Sequence, residues 1–99
     1  MILELAILSV RPGQSPAFER AMAEATPLIA ATPGFLGMEV RPCLEAADRY
    51  LLLVRWRSVE DHETGFRGSD RYQRWKALLH RFYDPFPTVE HYGEPVVEA

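Results

Sequence analysis

The chain has 99 residues and a formal net charge of −3, and its 47% apolar and 25% charged residues are typical of an ordinary globular domain. Its eleven Lys and Arg residues are spread between acids and form no basic stripe, so we expect no nucleic-acid partner. No stretch approaches the roughly 20 apolar residues of a membrane span and the first residues lack the basic start of a signal peptide, so we expect one cytoplasmic domain over residues 1–99 with no membrane partner.

A strand followed by a helix is predicted for the first third of the chain. Residues 2–10 are too short a run and too rich in branched side chains for a helix, which favours a strand. Ser15 offers a capping oxygen and Pro16 a fixed φ at the first helical position. Apolar residues then recur at helical spacing until Thr32-Pro33-Gly34. Pro27 lies inside this helix and should kink it or end it early, because its ring removes a hydrogen bond.

The middle of the chain predicts an antiparallel hairpin. Residues 35–43 and 49–57 are rich in branched and aromatic side chains, and the polar turn at residues 45–48 joins them. Ser58 comes directly after the second of these strands. Together with Asp61, three residues further on, it resembles a capping box and predicts a short helix.

A longer helix and a last strand complete the prediction. Ser69 provides the cap of the helix, and Asp84-Pro85-Phe86-Pro87 stops it. Residues 88–92 form the last strand. The order is therefore βαββ(α)αβ, which short right-handed connections fold into a ferredoxin-like α+β domain: a four-stranded antiparallel sheet with its helices on one face.

Both faces of the first predicted strand are apolar. Leu3, Leu5 and Ile7 face one way, while Ala6 and Leu8 face the other. The third strand has the same character. A sheet covered by helices on one side and by water on the other should alternate apolar with polar residues. A second, identical sheet across a twofold axis removes this contradiction, so we expect a homodimer.

Several local runs resemble the dimeric α+β barrel superfamily and, within it, the antibiotic biosynthesis monooxygenase (ABM) family, along nearly the whole chain. The runs are the opening strand with Arg11-Pro12-Gly13-Gln14, Thr32-Pro33-Gly34-Phe35, Leu52-Leu53-Val54-Arg55-Trp56 with Ser58-Val59-Glu60-Asp61-His62, Phe66-Arg67-Gly68-Ser69, and the run from Phe82 to Tyr92. The resemblance implies a small dimer with one cavity per subunit between sheet and helices.

Relatives in that family include oxygenases that convert polyketide-derived anthrones to quinones without metal or flavin, and enzymes that degrade haem. Both reactions, as the family is understood, use an asparagine, and this chain contains none. Where haem degraders carry a tryptophan on the short helix this chain has Gly65-Phe66, and their iron-binding histidine would fall near Lys76. Neither known active-site set therefore transfers well to this chain, and haem degradation is disfavoured.

Two histidines are candidate catalytic residues. His62 follows Val59 by three residues and precedes Phe66 by four, a spacing that turns its imidazole toward the apolar interior, where it could exchange a proton near neutral pH. The same pattern fits a core histidine bonded to a backbone carbonyl. His91 lies on the last strand, where the period of two fixes its alternation with Glu90 but not the face that it occupies.

Aromatic side chains could line a site for a flat, hydrophobic ligand. At helical spacing such residues are also ordinary core residues, and His80 at the fringe of the last helix could be a rim residue. The candidate substrate-binding residues are Phe66, Tyr72, Trp75, His80 and Phe82.

No HxH or CxxC spacing suggests a metal, and no GxGxxG run suggests a nucleotide, so we expect no cofactor. Two functions stay open. The first is a cofactor-independent monooxygenase, or a related proton-transfer enzyme, for a small aromatic or polyketide-like compound. The second is a non-catalytic module that binds or senses a small hydrophobic molecule. A dimerisation domain without a ligand is a third possibility.

Overall fold

Four strands pair into one antiparallel sheet in the computed structural model, which describes residues 1–99. The strands are β1 (Ile2–Ser9), β2 (Phe35–Pro42), β3 (Arg49–Trp56) and β4 (Val89–Tyr92), and their order across the sheet is β2-β3-β1-β4. The helices cover one face of this sheet. This arrangement confirms the predicted ferredoxin-like α+β fold, and the strand bounds agree with the predicted ones to within one residue.

Helix α1 (Ser15–Ala30) differs from the prediction at its start. Gln14 is the N-cap residue and makes no capping bond with its side chain. The hydroxyl of Ser15, the predicted cap, instead donates to the Asp48 carboxylate at 2.5 Å. Asp48 belongs to the turn between β2 and β3. The Ser15 hydroxyl therefore bonds to a residue distant in sequence and does not cap its own helix, and this bond ties the helix to the hairpin.

The expected early end of α1 at Pro27 is wrong. The helix continues to Ala30, and Pro27 lies on its exposed side. Leu28 and Ile29 directly after it are buried in the core. Burying two such side chains contributes about 3–6 kcal/mol, which exceeds the roughly 3 kcal/mol that a proline costs inside a helix.

The segment after β3 is a π-helical turn from Asp61 to Phe66. Helical residues 59–60 precede it, and Ser58 caps their start as predicted, since its Oγ accepts the backbone N–H of Asp61 at 3.2 Å. The Asp61 carboxylate does not complete a capping box and binds the Arg57 guanidinium at 3.0 and 3.1 Å. The turn buries His62 and Phe66 against the sheet.

Helix α2 (Asp70–Leu79) begins as the sequence predicts, because Ser69 Oγ accepts the backbone N–H of Tyr72 at 3.3 Å. A 3-10 turn over His80–Phe82 extends it. Trp75 and Leu79 are the buried residues of the helix and pack on the core. None of the helices combines the length and the apolar character that crossing a bilayer requires.

The sheet face turned away from the helices is apolar at its centre. In the β1–β3 register, Leu5 lies beside Leu53 and Ile7 beside Leu51. No helix covers these side chains: Ile7 is 47% exposed, Leu5, Leu51 and Leu53 are half-buried, and residues 85–88 lie beside Leu5 and Ile7. The predicted apolar second face is therefore present.

Candidate active site

A cavity of about 60 Å³ lies between the sheet and the helices. Aromatic and aliphatic side chains from β1, β3, the π-helical turn and α2 form most of its wall. Phe86, which is 62% exposed, stands at its rim. The polar groups that line it are Glu4, His62, Arg67, Tyr72, His80 and Tyr83.

His62 is the central side chain of this site. It is 3% exposed, and its ring stacks on Trp56 with the centroids 5.3 Å apart. Its Nδ1 shares a hydrogen bond of 2.8 Å with His91 Nε2, and its Nε2 lies 3.3 Å from Glu4 Oε1. Burial, assisted by the positive charge of Arg67 and by His91, lowers the pKa of His62 from 6.5 to about 3. The imidazole is therefore neutral at physiological pH.

Glu4 is a buried acid, 4% exposed, on the helix-facing side of β1. Its Oε1 accepts the indole N–H of Trp56 at 2.9 Å, and Oε2 accepts no hydrogen bond from the protein. Burial raises the pKa of Glu4, while the bond from Trp56 and the charge of Arg67 act in the opposite direction. A carboxyl group with a raised pKa and a free oxygen on a cavity is suited to proton exchange.

His91 lies on the helix-facing side of β4, directly across from Glu4 in the β1–β4 register. The sequence pattern had left open which face of the sheet His91 occupies. The structure places it on the helix-facing side, and Glu90 and Tyr92 occupy the other side. His91 does not line the cavity, because it stands behind His62 at 19% exposure. Its Nδ1 is 3.8 Å from Glu63 Oε1 at the surface.

The structure brings four of the five predicted aromatic and rim residues to the cavity wall: Phe66, Tyr72, Trp75 and His80. His80 packs edge-on against Phe86 with the ring centroids 4.8 Å apart, and burial together with Lys76 lowers the pKa of His80. The fifth residue, Phe82, lies elsewhere. It packs in the core against Phe18, with the centroids 5.9 Å apart.

Three polar lining residues escaped the sequence reasoning: Glu4, Arg67 and Tyr83. Glu4 had a usable signal, because it is the one acid on a strand side otherwise formed by Ala6 and Leu8. Arg67 has no carboxylate within ion-pair distance, so its positive charge is free for a bound ligand. Burial raises the pKa of Tyr83, which keeps its hydroxyl protonated.

Proton transfer is the chemistry that this arrangement supports. Each nitrogen of His62 already faces a protein group, and no set of three or more His, Cys, Asp or Glu side chains converges as metal ligands do. An acid with a raised pKa, a neutral imidazole and an unpaired guanidinium share one apolar wall. Such a wall can take a proton from a ligand and hold the resulting negative charge.

The family model for antibiotic biosynthesis monooxygenase matches residues 1–78. The chain belongs to the ABM family. Over 94 residues it is 50% identical to YczJ, an uncharacterized protein of Bacillus subtilis (strain 168), a match that covers 95% of this chain and 99% of YczJ. Membership agrees with the resemblance carried by the sequence runs.

Solved structures of ABM family proteins share the fold. A protein from Bordetella bronchiseptica is 34% identical with a TM-score of 0.90, and the match covers 96% of this chain and 97% of that one. An alanine variant of SnoaB, a cofactor-independent oxygenase from Streptomyces nogalater, gives a TM-score of 0.71 at 16% identity, over 91% of this chain and 86% of SnoaB. The likeness to SnoaB concerns the fold alone.

Proposed function

We propose that this ABM family protein is a cofactor-independent monooxygenase, or a closely related proton-transfer enzyme, that acts on a small aromatic, polyketide-like compound. The observation that carries the proposal is the neutral, buried His62 on the cavity wall, held between Glu4 and His91. The aromatic wall of Phe66, Tyr72 and Trp75 suits a flat ring system.

In this proposal His62, together with Glu4, removes a proton from an activated methylene of the substrate. Burial makes the imidazole alone a weak base, so the Glu4 carboxyl, whose Oε1 lies 3.3 Å from His62 Nε2, takes the proton first, and His62, supported by His91 on its other side, accepts it in turn. Arg67 stabilises the negative charge on the delocalised carbanion.

Dioxygen is the oxidant in the second half of the reaction. The carbanion gives its electrons to dioxygen, a C–O bond forms, and the peroxide takes up one proton. Loss of the second methylene proton then breaks the O–O bond and forms the carbonyl group. One methylene and one dioxygen yield one carbonyl and one water, so no external reductant is needed.

Substrate entry requires the cavity to widen. Its volume of about 60 Å³ holds a few water molecules, whereas pockets for drug-sized ligands measure roughly 300–1,000 Å³. Phe86 is 62% exposed and packs its ring on His80 and Tyr83 at the rim, so its displacement would enlarge the opening.

We also propose that the protein works as a homodimer joined through the uncovered sheet face. The exposed Ile7 and its register neighbour Leu51, with Leu5 and Leu53 beside them, give this face the apolar character of a buried interface. The cavity lies on the opposite face of the sheet and remains accessible in such a dimer.

Oxygen uptake tests the proposed function. Metal-free protein should consume dioxygen with an anthrone or a related phenolic compound, and His62→Ala should abolish the uptake. His62→Gln is the companion variant, because it retains polar volume at the site but supplies no base. Full activity in both variants would refute the role of His62. Ligand-induced thermal stabilisation without turnover would instead support the binding module, and no stabilisation with any aromatic compound would count against both functions.

A further inference from the structure

A line of polar side chains leads from the cavity to the surface. Glu4 lines the cavity, and its Oε1 is 3.3 Å from His62 Nε2. His62 Nδ1 is 2.8 Å from His91 Nε2, and His91 Nδ1 is 3.8 Å from Glu63 Oε1. Exposure rises along this line, from 4% for the whole of Glu4 to 19% and 51% for the side chains of His91 and Glu63.

The two imidazoles alternate donor and acceptor nitrogens along this line. When Glu4 is ionised, His62 carries its proton on Nε2, facing Glu4, and accepts at Nδ1 the proton of His91 Nε2. When Glu4 is protonated, its O–H faces His62 Nε2, and His62 Nδ1 donates to His91 Nε2. The same contacts thus fit both states of Glu4, and the two states differ in which nitrogen of each ring carries the proton.

We propose that Glu4, His62 and His91 form a proton path from the cavity to solvent, with Glu4 Oε2 as the atom that exchanges a proton with the bound substrate. In this scheme, which rests on the proposed function for its catalytic use, His62 acts through Glu4. Abstraction starts with both rings protonated on Nδ1. Glu4 takes the proton from carbon at Oε2, the carboxyl turns its O–H toward His62, and the proton moves to His62 Nε2 as His62 Nδ1 releases its own proton to His91 Nε2. His91 Nδ1 then gives a proton to solvent beside Glu63, so one proton enters and one leaves. A solvent proton that returns through the same contacts, and that Glu4 delivers to the peroxide, restores the starting tautomers.

The contact geometry sets the limits of the path. The 2.8 Å bond between the two histidines is short and already formed, whereas the 3.3 Å contact between Glu4 and His62 is long. Catalytic hydrogen bonds often tighten only when a ligand closes the site. The 3.8 Å gap from His91 to Glu63 exceeds a direct hydrogen bond, and solvent reaches both groups there.

The charged and titratable groups around Glu4 and His62 favour passing a proton on and disfavour a lasting positive charge on His62. Arg67 faces both Glu4 and His62, and it opposes a lasting positive charge on the imidazole. From β3, the neutral Trp56 covers His62. Tyr72, His80 and Tyr83 from α2 and the following turn line the same cavity. The lowered pKa of His80 and the raised pKa of Tyr83 keep these two groups neutral at physiological pH. Glu63 is the acid that faces the outer histidine.

Nitrogen NMR of the ligand-free protein tests the path without any substrate. With ¹⁵N-labelled histidine, the wild type should show scalar coupling between His62 Nδ1 and His91 Nε2 through their shared hydrogen. Across the pH range in which Glu4 titrates, the ¹⁵N shifts of both histidines should move together as their tautomers exchange. The Glu4→Gln variant should abolish that joint movement. The control variant Glu60→Gln changes an exposed acid two residues before His62 and should leave the movement intact.

Absence of the coupling, or a fixed His91 tautomer throughout that titration, would overturn the path even if Glu4→Gln fails to fold, because both are measured on the wild type. The oxygen-uptake assay gives a separate answer. His91→Gln should lower kcat by roughly a hundredfold with KM unchanged, the size expected for lost proton transfer. Unchanged kcat in His91→Gln with no activity in His62→Gln would refute the path and keep the proposed function.

Discussion

The indole of Trp56 holds Glu4 in place and covers His62 at the same time. Its Nε1–H donates to Glu4 Oε1 at 2.9 Å, while its ring stacks on the imidazole at an interplanar angle of 20°. Trp56 is completely buried at the end of β3. One core residue therefore fixes both Glu4 and His62 in the candidate site.

The neutral state of His62 predicts a loss of stability in acid. Its folded pKa, about 3, lies below the unfolded value of 6.5, so the unfolded chain binds more protons between these two pH values. The stability contributed by neutral His62 is present above pH 6.5 and is lost as the pH falls toward 3. Urea unfolding should show the free energy of wild type falling relative to that of His62→Gln by up to about 1.4 kcal/mol per pH unit. Parallel pH profiles would contradict this prediction.

Glu4 should have the opposite pH dependence. Because burial raises its pKa in the folded state, the folded chain binds the extra proton, and stability falls as the pH rises from 4.5 through the folded pKa. Glu4→Gln removes the buried charge and should stabilise the protein by roughly 1–3 kcal/mol at pH 8, with little gain at pH 4. Thermal unfolding at both pH values checks this difference. Equal stability of variant and wild type at pH 8 would show that Glu4 is not strained by burial.

Gly34 should be far less replaceable than Gly13, although both have positive φ angles, +90° and +78°. A Cβ on Gly13 meets open space, so Gly13→Ala costs only the left-handed backbone strain, about 1–2 kcal/mol. A Cβ on Gly34 would collide with the Asp61 carboxyl, next to His62. Gly34→Ala should therefore lower the free energy of unfolding by several kcal/mol in denaturant titrations. Similar losses for both variants would argue against this close approach.

The uncovered sheet face predicts a dimer at micromolar concentration. Sedimentation should give about twice the 11.3 kDa mass of one chain. Ile7→Arg should produce monomers, because it places a charge at the centre of the apolar face. Ala23→Arg, an exposed position on α1, is the matched control and should remain dimeric. A wild type that sediments only as an 11.3 kDa species would contradict the proposed interface.

The caps and the spacing of apolar residues predicted the fold because they favour the same helices and strands that the tertiary packing uses. The cap at Ser69 and the inward side of His62 follow from spacing alone, and both appear as expected. The cap at Ser15 failed because Asp48, 33 residues away, captured its hydroxyl. Pro27 failed as a helix end because the burial of the residues after it compensates for the missing bond.

The candidate site was only partly predictable. The spacing around His62 indicated a buried imidazole, but its partner His91 lies 29 residues away, and a strand pattern does not say which face meets the core. Glu4 looked like a polar interruption of an apolar strand. Only the register that places it opposite His91 shows that the interruption belongs to a site. Phe82 shares the aromatic character of the lining residues, yet the 3-10 turn directs it into the core against Phe18.

Hydrogen exchange on a substrate analogue tests the central claim, proton abstraction in the cavity, independently of the reaction with dioxygen. In deuterated buffer without dioxygen, the protein should speed exchange of the methylene hydrogens of an anthrone, as followed by proton NMR. His62→Gln should return the exchange rate to that of buffer alone. Exchange at the buffer rate with the wild-type protein, under conditions where the compound binds, would contradict the account.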